Sequence, residues 1–168
     1  DSDGETPLMW AAHGGHLSVV NLLIGRNADV NAETPDGGTP LLAASWEGRA
    51  DVVQALLENG ADIDAGTGKK GTALMAAAYG RHVSVMKLLL EKGADVNAKS
   101  KDGGTALWDA TRQGYPEVVK LLVETGADVH AKTLSGTTPL HWPVVNGDTE
   151  TVKLLLDRGA HVNEKLKD

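Results

Sequence analysis

The sequence predicts an all-α repeat solenoid, a one-dimensional stack of helix–turn–helix units joined by extended tips. Two observations predict it. One period of 33 residues runs through the chain, and each period holds two short apolar segments at helical spacing, separated by a turn. Thr6, Thr39, Thr72, Thr105 and Thr138 are each 33 apart, and Leu8, Leu41, Leu74, Leu107 and Leu140 follow two residues later. Ala28-Asp29-Val30-Asn31, Ala61-Asp62-Ile63-Asp64, Ala94-Asp95-Val96-Asn97, Ala127-Asp128-Val129-His130 and Ala160-His161-Val162-Asn163 keep the same period. Five copies without an insertion fill nearly all of the 168 residues, a register that an ordinary helical bundle does not keep.

Each element follows from its residues. Thr6 is a helix N-cap whose hydroxyl accepts from an orphan backbone N–H, and Pro7 takes the first helical position, where its missing donor is harmless. Leu8, Ala11 and Ala12 make a short first helix whose small residues let a neighbour approach. Gly15 turns the chain, and Val19, Val20, Leu22 and Leu23 give a second helix with three-and-four apolar spacing. That helix stops at a left-handed residue, Gly60, Gly93, Gly126 or Gly159, with Asn27 as the substitute in copy one. Asn31-Ala32 and Asp36-Gly37 suit a turn that projects sideways. One unit cannot bury its own apolar face, so the copies must stack.

A 33-residue period with the signature T-P-L-H-x-A belongs to ankyrin repeats. Copy five carries Thr138-Pro139-Leu140-His141, copies one and two carry Thr-Pro-Leu followed by Met9 or Leu42, and copy three ends in Gly-Ala-Asp-Val-Asn-Ala at 93–98. The chain resembles the ankyrin-repeat family over essentially its whole length, as a single domain with copies at about 1–34, 35–67, 68–100, 101–133 and 134–168. The resemblance implies a curved stack of helix pairs with β-hairpin tips, and a concave face made of tips and first helices. Some positions depart from the pattern. Met9, Leu42, Met75 and Trp108 replace the motif His, so apolar packing is expected where the family has a Thr–His hydrogen bond. Lys70 and Arg81 stand where glycine is expected, with Gly71 and Gly80 one residue away, so both turns are expected to slip by one. Pro143 removes a helical donor at about 3 kcal/mol, so the first helix of copy five should be short or kinked. Neither terminal copy has a polar cap, which fits a fragment of a longer array or ends able to associate. A monomer is expected, with end-to-end contact as its route to larger species.

Composition narrows the function. With no Cys, disulfides, thiolate nucleophiles and Cys-ligated metals are excluded, and a cytoplasmic or nuclear setting fits. No apolar run reaches the ~20 residues of a membrane span. The formal charge of −7 makes nucleic acid an unfavourable generic partner. Gly66-Thr67-Gly68-Lys69-Lys70-Gly71-Thr72 looks like a phosphate loop but has Ile63 for the first Gly and Lys70 for the Ser or Thr that meets magnesium. The six His show no i, i+4 metal spacing; His16 and His82 share a register beside the turn and read as structural. Asp29, Asp62, Asp95 and Asp128 share another and read as tip caps. No Ser, His and Asp sit in a nucleophile-elbow context. No enzyme, cofactor or metal is therefore expected. Asn31, Asn97 and Asn163 read as turn residues whose amides satisfy local backbone. The family resemblance adds that such Asn, eight after Leu23, Leu89 and Leu155, can be substrates of an asparaginyl hydroxylase.

What remains is a binding surface. In register, the first helices present His13, Trp46, Tyr79, Arg112 and Val145. Beside them run Gly14, Glu47, Gly80, Gln113 and Asn146, and one turn earlier Trp10, Ala43, Ala76, Asp109 and Trp142. All four Trp lie on first helices; Trp108 and Trp142 can equally fill gaps between copies. Trp46 and Tyr79 occupy the site expected to be most exposed, and Trp, Tyr and Arg are enriched in interface hot spots. Tip charges run from acidic (Asp1, Asp3, Glu5, Glu33, Asp36) to basic (Lys69, Lys70, Lys99, Lys101, Lys132), a gradient able to orient a partner. The expected role is a non-catalytic module binding a protein through Trp10, His13, Asp36, Trp46, Glu47, Lys69, Tyr79, Lys101, Arg112 and Gln113. Two alternatives stand beside it. Trp46, Tyr79, Arg112 and the tip lysines could stack a base and hold phosphate, as for a nucleotide-like or single-stranded ligand. An insertion-free, Cys-free array would also suit a designed scaffold with no natural partner, although Lys70, Arg81 and Pro143 are not consensus choices.

Overall fold

The computed structural model describes residues 4–66 and 71–163. Among them are ten helices in five antiparallel pairs: α1 (Pro7–Gly14) with α2 (Leu17–Ile24), α3 (Pro40–Trp46) with α4 (Ala50–Glu58), α5 (Ala73–Tyr79) with α6 (Val83–Glu91), α7 (Ala106–Gln113) with α8 (Pro116–Glu124), and α9 (His141–Asn146) with α10 (Thr149–Asp157). First helices pack in one layer, α1 on α3, α3 on α5, α5 on α7 and α7 on α9, with the second helices behind them. Leu8, Leu41, Leu74 and Leu107 are sealed between the layers together with Val20, Val52, Leu56, Met86, Leu89, Leu122 and Leu155, in one continuous apolar core. Burying each such side chain fully stabilises by about 1.5–3 kcal/mol.

The caps follow the residues. Thr6, Thr39, Thr72 and Thr105 are extended, and their hydroxyls accept from the backbone N–H of Met9, Leu42, Met75 and Trp108, each worth about 1 kcal/mol. In copy one the Met9 sulfur also accepts from the Thr6 N–H at 3.4 Å. In copy five the motif His is present, and His141 Nδ1 lies 2.9 Å from the Thr138 nitrogen and 3.0 Å from its hydroxyl. The second helices have little capping. Among α2, α4, α6, α8 and α10 only the last has a side-chain cap, Asp148 accepting from the Thr151 N–H, and hydrogen bonding from the Thr151 hydroxyl and then its N–H holds the Asp148 carboxyl below its usual pKa.

Copy five has the short helix that Pro143 demands. α9 begins at His141 rather than directly after the Thr138 register, so Pro143 falls in its first turn. Backbone donors there have no helical acceptor, and the missing N–H is not felt. Arg81 corrects the sequence expectation. Its turn does not slip: Arg81 takes φ 60°, in register with Gly15, Gly48, Gly114 and Gly147, while Gly80 is right-handed. A left-handed non-glycine residue costs about 1–2 kcal/mol. Against that, the Arg81 guanidinium lies 5.5 Å from the centre of the Tyr115 ring and pairs with Glu117. The corresponding expectation for Lys70 falls outside the described residues.

The three described tips reverse the chain without forming strands. Each closes through two backbone bonds around one residue, Thr34 N–H to Gly38 O with Gly37 N–H to Thr34 O, and likewise at Ser100–Gly104 and Thr133–Thr137, helped by the Thr34, Ser100 and Thr133 hydroxyls. Bonds confined to one tight turn make no ladder, and no strand forms among the described residues.

Candidate functional site: a groove between tips and first helices

A second set of contacts joins one copy to the next and aims the exposed register of the first helices. His82 packs against the turns at Gly48 and Gly80, so close that a Cβ on either glycine would meet its ring at about 2.4–2.5 Å. Its Nε2 is 2.9 Å from the Trp46 carbonyl oxygen. A carbonyl only accepts, so Nε2 carries the proton. Arg49, one copy earlier, donates its Nε–H to the His13 carbonyl at 3.3 Å. These bonds anchor the ends of α1 and α3, where His13 and Trp46 sit.

His13, Trp46, Tyr79, Arg112 and Val145 are all exposed. Trp46 and Tyr79 retain 43% and 38% of their surface, and their rings stack with centroids 5.0 Å apart and 21° between planes. They wall a groove of about 660 Å³ whose far side is formed by Trp108, Asp109 and Arg112 on α7 and by the tips at Ser100–Gly104 and Thr133–Ser135. The other side of Trp46 borders a smaller groove of about 270 Å³ containing Glu5, Met9, His13 and Leu42.

Charge in the larger groove is specific. Arg112 does not reach outward. Its guanidinium lies 5.1 Å from the centre of the Trp108 ring, and its Nη2 is 3.5 Å from Asp109 Oδ1. Burial raises the Asp109 pKa to about 6, and Arg112 offsets only part of that. Trp108 donates its indole N–H to the Thr137 hydroxyl at 3.1 Å and meets Trp142 edge-on at 6.4 Å. Both rings thus fill the space between copies four and five, while Trp108 still lines the groove.

The remaining candidates scatter. Glu47 Oε1 lies 3.8 Å from His13 Nδ1 beside the smaller groove. Trp10 is exposed on α1 outside both grooves, and Gln113 is half-buried outside both. Asp36 is at an exposed tip and accepts from the Thr34 hydroxyl at 2.6 Å; Lys101 is at another. Lys69 lies outside the described residues. Asp102, Asp109 and Leu134 line the groove although the sequence reading did not select them. A signal existed for Asp109, a lone carboxylate in the register Trp10, Ala43, Ala76, Asp109, Trp142.

The Asn register differs from expectation in its partner. Asn31 donates its amide to the Gly60 carbonyl at 3.0 Å and accepts from the Asp62 N–H at 2.7 Å. Asn97 does the same with Gly126 and Asp128, and Asp64 accepts from the Asp95 N–H. These bonds tie copy one to two, two to three and three to four instead of satisfying local backbone. Local bonds come from the aspartates, since Asp29, Asp62, Asp95 and Asp128 each accept from the N–H two residues on.

Among the described residues, no three His, Cys, Asp or Glu converge as a metal site, and no helix is long and apolar enough to cross a membrane. No curated protein matches the chain. A family model for ankyrin repeats in three copies matches residues 1–67 and 64–133, and one for a single ankyrin repeat matches residues 135–167. Ankyrin repeats are generally protein–protein interaction modules, and proteins built from them are typically non-catalytic. With five helix pairs in one register and family matches along nearly the whole length, the chain belongs to the ankyrin-repeat family.

Proposed function

We propose that the chain binds a protein partner through the concave face, with the larger groove as the principal site and the smaller one extending it past Trp46. The exposed Trp46–Tyr79 stack carries this reading. Two large rings held in water by a fixed backbone are poor for packing the stack and well suited as anchors, because little side-chain entropy is left to lose on binding. His13, Glu47, Asp36 and Lys101 would set orientation from the rim; exposed charges contribute little affinity singly. Base stacking with phosphate capture has less support, because the charged lining of the groove among the described residues is Asp102, Asp109 and Arg112, and two carboxylates repel phosphate. In dilute solution the chain is a monomer.

The test is the double substitution Trp46→Ala, Tyr79→Ala. Partner capture from the source lysate should be lost, while the thermal midpoint falls by only a few degrees, since an aromatic pair contributes about 0.5–1.5 kcal/mol beyond its burial. Unfolding of the array would make these rings core residues and remove the reading.

A further inference from the structure

Asp109 is the most buried charged group among the described residues of the groove, and it is poorly satisfied. Its carboxylate accepts no hydrogen bond among the described residues, and its one ion pair, with Arg112, is long at 3.5 Å. The side chain is only 21% exposed, so water compensates it poorly. Asp102 lines the same groove, and among the described residues its charged lining is two carboxylates against one guanidinium. The remaining walls are aromatic, and an aromatic face attracts a cation. Arg112 already shows the fit: its guanidinium lies over Trp108 next to Asp109.

We propose that the larger groove receives a single basic side chain, arginine or lysine, from an extended segment of the partner, with Asp109 and Asp102 as counter-charges and Trp46, Tyr79 and Trp108 as walls. This rests on the reading of the groove as a protein-binding surface and names the chemistry of what enters it. An acidic side chain would bring a third negative charge into a half-closed space, where charges are weakly screened. Leu134, exposed at the groove edge, suits the aliphatic stem of the incoming residue. Lys99 and Lys101 are exposed and outside the lining. They disfavour a run of basic residues, so the occupant is one basic residue with neutral or acidic neighbours. Arg112 then acts as an internal stand-in that the incoming cation displaces from Trp108.

Three blocked tripeptides, acetyl-Gly-X-Gly-amide with X arginine, glutamine or glutamate, test this by ¹H–¹⁵N NMR, read at the indole N–H signals of Trp46 and Trp108. The arginine peptide should bind at least about fivefold more tightly than the other two, the scale of one added charge-assisted contact. Asp109→Asn should remove most of that preference, and unfolding would not explain the loss, because this substitution relieves a buried charge. Arg112→Ala should strengthen the arginine peptide severalfold by vacating Trp108. Equal or tighter binding of the glutamate peptide, loss of binding in Arg112→Ala, or indifference to Asp109→Asn would each overturn the proposal. Equal shifts from all three peptides would remove the basic preference and leave a peptide-binding groove. Were none to shift the indoles, the basic-residue proposal would fall. The protein-binding reading would fall with it only if partner capture also survived loss of Trp46 and Tyr79.

Discussion

Two registers of this chain behave in opposite ways. At 31, 64 and 97 the residues are Asn, Asp and Asn, and all three bond to the backbone of the following copy. At 13, 46, 79 and 112 they are His, Trp, Tyr and Arg, all exposed beside a groove. The backbone geometry is alike from copy to copy. A side chain whose partner is backbone therefore meets the same demand at 31, 64 and 97 and keeps its chemistry there, while His130, where the register changes, meets the His161 ring instead. A side chain whose partner lies outside the chain meets no such demand. Chemical sameness along a register marks what holds the stack; difference in an exposed register marks what the stack holds.

That contrast can be broken at its groove end first. Asp109 has its pKa raised from 3.8 to about 6, so the folded state binds the proton more tightly than the unfolded chain does. Stability then falls as pH rises from 3.8 to 6, and the whole penalty is present above 6. Asp109→Asn should therefore stabilise the protein at pH 7.5 by roughly 1–3 kcal/mol, a rise of a few degrees in thermal midpoint. At pH 4 most of the difference should be gone. A groove residue that weakens the fold when charged is what a binding role leaves behind. The other end of the contrast predicts the reverse sign. Asn97→Ala removes two exposed inter-copy hydrogen bonds and should lower stability by about 1 kcal/mol, equally at pH 4 and 7.5. Urea titration of both variants reads the two effects side by side, and binding to the groove should be unchanged in Asn97→Ala.

Most of the architecture was legible because its causes are local. A Thr cap, an apolar stripe and a left-handed stop lie within one copy, and the period repeats them. Pro143 was legible for the same reason, since a missing N–H acts on its own helix. Arg81 was not. Its left-handed turn is held with Tyr115 and Glu117 of the next copy, and nothing within its own copy announces them. Asn31 was half legible: its place in a turn is local, its partners Gly60 and Asp62 are not. In the groove, Trp46, Tyr79 and Arg112 followed from register alone. Asp109 was visible in its register as a charge among apolar and aromatic residues, but its burial depends on a groove completed by the tip of copy five. Folding Arg112 inward onto Trp108 was likewise a matter of three-dimensional neighbours.

The carboxylate at the centre of the groove offers the most direct measurement. A ¹³C NMR titration of the Asp109 side-chain carbon in the folded protein should show a midpoint near pH 6, moving higher still in Arg112→Ala as the Arg112 charge is lost. A midpoint close to 3.8, unmoved by that substitution, would mean a well-solvated surface acid, and a recess that asks for no cation.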